Sequence, residues 1–187
     1  MKTALFLDFE DSFSYNVIQE LNNCGLEIDV IKWFEFNGFS HHDLLVLGPG
    51  PGHPDDYKII FPLIEKWLHS NKKIFAICLG HQILARILGF DVSKSKFPTH
   101  GQKVQLELDE FWQNFLNLPE KVMVQRYNSL AVTALETSAF EDLDMLFLNG
   151  EIMISRSSLF LSYQFHPESV GTKCRRSFFR PILGDLL

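Results

Sequence analysis

The stretch Ile74-Phe-Ala-Ile-Cys78-Leu-Gly-His-Gln82-Ile-Leu-Ala-Arg-Ile-Leu88 decides how the chain is read. A short apolar run reaches one cysteine, turns on a small residue and leaves with apolar positions 83, 84, 87 and 88, the spacing of an amphipathic helix. This is the layout of a nucleophile elbow, whose sharp strand-to-helix turn lifts the nucleophile out of the sheet and needs small residues two before and two after it. Here they are Ala76 and Gly80. A cysteine that opens a helix also meets unpaired N–H groups and the positive end of the helix dipole, which favour thiolate over thiol. A lone cysteine ending a core strand is ordinarily a small apolar packing group. The small-x-Cys-x-Gly spacing keeps both readings open.

Working outward, residues 2–8 read as a buried strand, and Ser12 is placed to cap a helix whose Phe13, Val17 and Leu21 make an apolar face ending at Gly25. Residues 27–34 look like a second strand, and residues 43–47 a third that runs into Gly48-Pro-Gly-Pro-Gly52. Strands alternating with helices predict a mostly parallel α/β sheet flanked by helices, in which sites collect beyond the carboxyl ends of the strands. Both Gly48-Pro-Gly-Pro-Gly52 and Cys78 lie at such ends. The glycine-proline segment is either a plain turn or a set of few, fixed N–H donors at Gly50 and Gly52, since proline removes the others. Such a donor, paired with the N–H of Leu79, would make an oxyanion hole. A further helix carries Ile60, Leu63, Ile64, Trp67 and Leu68, with Pro62 in its first turn or bending it.

Beyond Gly89 the pattern changes to short alternating runs: 104–108, 122–124, 143–148, 152–154 and 159–165. Without helices between them, they predict a small antiparallel extension on the sheet edge, and Asn149-Gly150 marks a hairpin. The last run delivers Gln164-Phe-His166-Pro-Glu168-Ser169. His-x-Glu is weak alone, but with an elbow cysteine upstream it completes nucleophile, base and orienter.

Composition bounds the rest. A chain of 187 residues, 46% hydrophobic, with no linker or repeat, is expected to form one domain over 1–187. The first apolar run is stopped by Asp8 and no run nears the ~18 residues of a membrane span, so no signal peptide, no membrane and a cytoplasmic location are expected. Cysteines 24, 78 and 174, odd in number and far apart, suit neither disulfides nor zinc. A net charge of −6, with Lys173, Arg175 and Arg176 as the basic cluster, argues against nucleic acid as a partner.

Taken together, Asp8-x-x-Asp11-Ser-Phe-x-Tyr-Asn16, Pro49-Gly-Pro-Gly-x-Pro54, Cys78-Leu-Gly-His-Gln82, Tyr127-x-Ser-Leu130, Glu151-Ile-Met153 and Gln164-Phe-His-Pro-Glu-Ser169 resemble the class I glutamine amidotransferases. More narrowly, they resemble the glutaminase subunits of anthranilate and aminodeoxychorismate synthases. The resemblance implies a flavodoxin-like fold and hydrolysis of L-glutamine through a cysteine thioester, the ammonia passing to a chorismate-using synthase subunit. It implies Cys78 as nucleophile, His166 as base and Glu168 as its orienter, oxyanion N–H groups from Gly52 and Leu79, and glutamine held by Gly50, Gln82, Ser129 and Leu130. No metal or cofactor is expected in this subunit, and any Mg²⁺ requirement would belong to the synthase.

The chain departs from the family pattern at Ala76, where glycine is usual, at Phe9 and Glu10, at Asn128, where histidine is common, and at Gln102-Lys-Val104. Residues 171–187 match poorly, although Phe178, Phe179, Ile182 and Leu183 suggest a closing helix. Two other functions stay in view: a non-catalytic binding or regulatory module of the same fold, and a stand-alone cysteine hydrolase.

Overall fold

The computed structural model describes residues 2–133 and 143–186. Its first half is a run of parallel strands: β1 (Thr3–Asp8) lies between β2 (Glu27–Lys32) and β3 (Leu44–Leu47), and β3 pairs in turn with β4 (Lys73–Ile77). Because successive side chains of a strand point to opposite faces, β1 sends Ala4 and Phe6 into one apolar cluster and Leu5 and Leu7 into the other. Both faces are covered, as a parallel sheet requires. Val17 and Leu21 of α1 (Ser14–Asn23) and Phe178 and Phe179 of α5 (Arg175–Pro181) fill the first cluster. Ile64 and Trp67 of α2 (Phe61–His69) and Ile83 and Leu84 of α3 (Leu79–Ile87) fill the second. Pro62 sits in the first turn of α2, where its missing N–H costs nothing.

The sheet continues past β4 into β11 (Phe160–Tyr163), β10 (Glu151–Arg156), β8 (Leu130–Thr133) and β5 (Asp91–Lys94), while β9 (Asp144–Leu148) pairs with β10. Strand β11 is parallel to β4; β10, β8, β5 and β9 pair antiparallel. The β9–β10 hairpin turns on Asn149 and Gly150, both at positive φ (54° and 81°), as the favoured two-residue hairpin turn demands.

Three expectations need correction. Ser12 does not cap α1: the helix starts at Ser14, and the Asp11 carboxylate accepts the Phe13 N–H at 2.8 Å. The carboxylate two residues back satisfies that donor, leaving the serine exposed. The run 104–108 does not extend the main sheet but pairs, as β6 (Gln102–Glu107), with β7 (Lys121–Arg126) in a separate two-stranded sheet. A helix the strand pattern concealed, α4 (Glu110–Leu116), joins them. Asp109 caps it by accepting the Trp112 N–H at 3.0 Å, and Trp112 and Leu116 are buried one turn apart. Finally, residues 159–165 do not lie on the edge, since β11 sits inside the sheet beside β4.

Candidate active site

The elbow forms as the spacing predicts. Strand β4 ends at Ile77, Cys78 adopts φ 53° and ψ −103°, and α3 begins at Leu79. A non-glycine residue there is strained, and strain of this kind collects at functional sites. The turn is held from both sides: the Cys78 N–H donates to Tyr163 O at 2.8 Å and the Gly80 N–H to Gly48 O at 3.2 Å. Gly80 is obligatory, because a Cβ there would lie 2.2 Å from the Leu47 carbonyl oxygen. Ala76 is fully buried in the cluster that holds Leu79 and Ile83, so its extra methyl is accommodated.

His166 lies just beyond β11, and its N–H donates to Gln125 O at 2.9 Å while its carbonyl accepts the Thr172 hydroxyl at 2.6 Å. Its Nδ1 meets Glu168 Oε1 at 2.6 Å, with the two side chains 2% and 0% exposed. The rings of Phe13 and Tyr127 pack on the imidazole with centroids 5.1 and 5.0 Å away. Burial disfavours the imidazolium, but attraction to Cys78 and Glu168 and hydrogen bonding with both outweigh it, holding the His166 pKa well above its ordinary value. The surroundings of His166 thus favour its protonated form beside the sulfur. Glu168 Oε2 has no hydrogen-bond partner among the described residues.

Gly50, Pro51, Gly52, Cys78, Leu79, Gln82, Tyr127, Asn128, Ser129 and Leu130 line one cleft of about 170 Å³. Every residue expected to hold glutamine or an oxyanion is in it. A Cβ at Gly50 would meet Leu79 Cδ2 and Phe9 Cβ at 2.5 Å, so glycine is required for that wall to close. Both amide hydrogens of Gln82 are engaged, at 3.3 Å to Leu130 O and 3.1 Å to Gln164 Oε1, which leaves its oxygen for a ligand. Gln82 thus ties the elbow helix to the loop opposite.

Sequence reasoning missed Arg126 and Glu151 as a buried pair, and Asn128 and Pro51 as cleft walls. For Arg126 the signal was present: it continues the alternation of Val122 and Val124, which makes it the third residue on the buried face of β7. The other two cysteines are outside the cleft; Cys24 is partly buried, which pushes its thiol up, and Cys174 is exposed. Among the described residues, Asp29, His41 and His42 bring ligand-type atoms within 4.8 Å of one another. Asp29 is on β2 and His41 and His42 lie in the segment just before β3, outside the cleft, and His42 Nε2 already contacts Asp29 Oδ2 at 2.9 Å. No helix of the described residues is long and apolar enough to cross a membrane.

The glutamine amidotransferase class-I family model matches residues 5–183. Anthranilate synthase component 2 of Helicobacter pylori is 33% identical over 97% of this chain and 96% of its own length. The aminodeoxychorismate/anthranilate synthase component 2 of Bacillus subtilis is also 33% identical, over 96% of this chain and 94% of its own. A longer relative, the phenazine-specific anthranilate synthase of Pseudomonas fluorescens, is 29% identical over 92% of this chain, which spans 27% of that protein. In fold, the chain matches a candidate GMP synthase subunit from Thermoplasma acidophilum with a TM-score of 0.82, at 22% identity, over 100% of this chain and 94% of that one. An elbow cysteine that lines this cleft, with the buried His166–Glu168 pair beside it, is thus found in a chain that belongs to the class I glutamine amidotransferases.

Proposed function

We propose that the chain acts as a single amidotransferase domain that hydrolyses L-glutamine to glutamate and ammonia. The ammonia goes to a chorismate-using synthase subunit in the cytoplasm, for anthranilate or 4-amino-4-deoxychorismate formation. The observation that carries the reading is Cys78 in a cleft walled by Gly50, Gly52, Leu79, Gln82, Ser129 and Leu130, with His166, paired to Glu168, beside its sulfur. Relatives of the same length named as synthase component 2 support the choice of partner.

In this reading the Cys78 thiolate attacks the carboxamide carbon of glutamine. Negative charge then grows on the amide oxygen, where the N–H groups of Leu79 and Gly52 receive it; one well-aimed donor is typically worth about 3–4 kcal/mol. The imidazolium of His166 gives its proton to the leaving nitrogen, the C–N bond breaks, and ammonia departs from a thioester. Neutral His166 then takes a proton from water, which cleaves the thioester and frees glutamate. Glu168 keeps the imidazole aimed and supports its charge. The chain supplies all of these groups, so neither metal nor cofactor enters the reading.

Glutamine turnover measured with and without the chorismate-using synthases of the same organism tests it. The isolated chain should be slow and the complex with chorismate faster, because small displacements of reacting groups cost about 10²-fold. A glutamine-like chloroketone should label Cys78. Labelling at Cys24 or Cys174 in its place, or full activity indifferent to every such synthase, would overturn the proposal. The amine product formed identifies the pathway served.

A further inference from the structure

Arg126 ends β7 one residue before the cleft-lining segment 127–130, and it is 1% exposed. Its Nη2 donates to Glu151 Oε2 at 2.6 Å and its Nε to Asn128 Oδ1 at 3.0 Å. Asn128 Nδ2 donates to Leu130 O at 2.7 Å, the same carbonyl that Gln82 reaches. The other oxygen of Glu151 accepts the Ser95 hydroxyl at 2.5 Å. Neither Arg126 nor Glu151 lines the cleft. Burying both ions costs several kcal/mol, and apolar residues in place of such a pair are often neutral or stabilising, so stability alone gives this pair no purpose.

The backbone shows what the pair holds still. The carbonyls of Arg126, Asn128 and Ser129 accept the N–H groups of Gly101, Thr99 and Ser95 at 2.9, 3.1 and 2.9 Å. With Leu130 O also engaged, what the segment can offer a ligand is mainly N–H and hydroxyl donors, which suit a carboxylate. We infer that Arg126 and Glu151 are positioning residues for glutamine: the pair clamps Asn128, and Asn128 fixes Ser129 and Leu130 against the carboxylate end of the substrate.

The same geometry explains the asparagine at 128. Position 128 must accept from the Arg126 Nε–H and donate to Leu130 O at once. A carboxamide does both, and so does a neutral imidazole with one N–H and one bare nitrogen; a carboxylate cannot donate, and alanine does neither.

The inference rests on the glutaminase reading, and kinetics on the chain with its synthase test it. In the Arg126→Met/Glu151→Met double variant the glutamine KM should rise roughly tenfold or more, the loss of one hydrogen bond to a charged ligand group. Its kcat should stay within about threefold, since only binding geometry is disturbed. Asn128→Ala and Asn128→Asp should each raise KM to a similar degree, Asn128→His should stay near wild type, and adding Asn128→Ala to the double variant should raise KM no further. A folded double variant with wild-type KM, additive effects, or Asn128→His as poor as Asn128→Ala would overturn the inference. If the double variant does not fold, the position 128 series alone decides. A wild-type protein that neither turns over glutamine nor is labelled at Cys78 would defeat the glutaminase reading as well, and so is distinguishable.

Discussion

Two buried ion pairs flank the cleft, and they match in nearly everything except what they can do. His166–Glu168 and Arg126–Glu151 both span 2.6 Å, with no side chain more than 5% exposed. An arginine cannot lose its proton in a protein, whereas an imidazole can. One pair can therefore move a proton and the other can only hold a shape. Their surroundings agree: both Glu151 oxygens are hydrogen-bonded, while Glu168 keeps one oxygen without a partner among the described residues. A saturated pair resists change, and an unsaturated one leaves its charge to the histidine.

The largest effect should come from breaking the proton-moving pair. His166→Ala removes both proton transfers, and glutamine-dependent kcat should fall about 10²–10⁴-fold in steady-state assays of the complex. Glu168→Gln should cost less, because the imidazole remains. Its carboxylate helps hold the imidazolium, so removing it lowers the His166 pKa and the alkaline limb of the kcat/KM profile should move to lower pH. The corresponding Glu151→Gln change sharpens the contrast: it should raise KM while leaving that limb where it is. A shift of equal size in both variants would erase the distinction between the pairs.

A third buried group completes the comparison. His81 in α3 meets Ser162 Oγ at 2.8 Å, no ion pair of the described residues includes it, and burial pushes its pKa down to about 3. A paired imidazole is driven up and an unpaired one down by the same interior. Since the folded value is below the unfolded one, near 6.5, the unfolded chain binds more protons between them. This contribution to stability is present above pH 6.5 and lost as pH falls toward about 3. In His81→Gln that loss should vanish, narrowing the stability gap to wild type by up to about 2 kcal/mol on going from neutral pH to pH 5, as denaturant titrations would show.

The two pairs also mark how far the sequence could be read. His166 and Glu168 are two residues apart across a proline, and the elbow is a local pattern of strand, small residues and helix, so both were visible without long-range information. The parallel half followed for the same reason: β1, β3 and β4 are continuous apolar runs between turn signals. Arg126 and Glu151 are separated by 25 residues and meet only because β7 and β10 are brought together by the fold. Helix α4 was hidden because Phe111, Trp112 and Phe115 carry aromatic residues that read equally as strand, and its cap at Asp109 was overlooked. The separate β6–β7 ribbon was hidden because alternation says that one face is buried, not against which sheet.

The central claim is that this chain only makes ammonia, from a cysteine that no other group replaces. Its most direct test is Cys78→Ser in the complex with the synthase, assayed for the amine product with glutamine and, separately, with ammonium salts at a pH where some ammonia is unprotonated. The account predicts no product from glutamine and wild-type-like product from ammonia. Retained glutamine-dependent synthesis, or equal loss with both nitrogen sources, would contradict it.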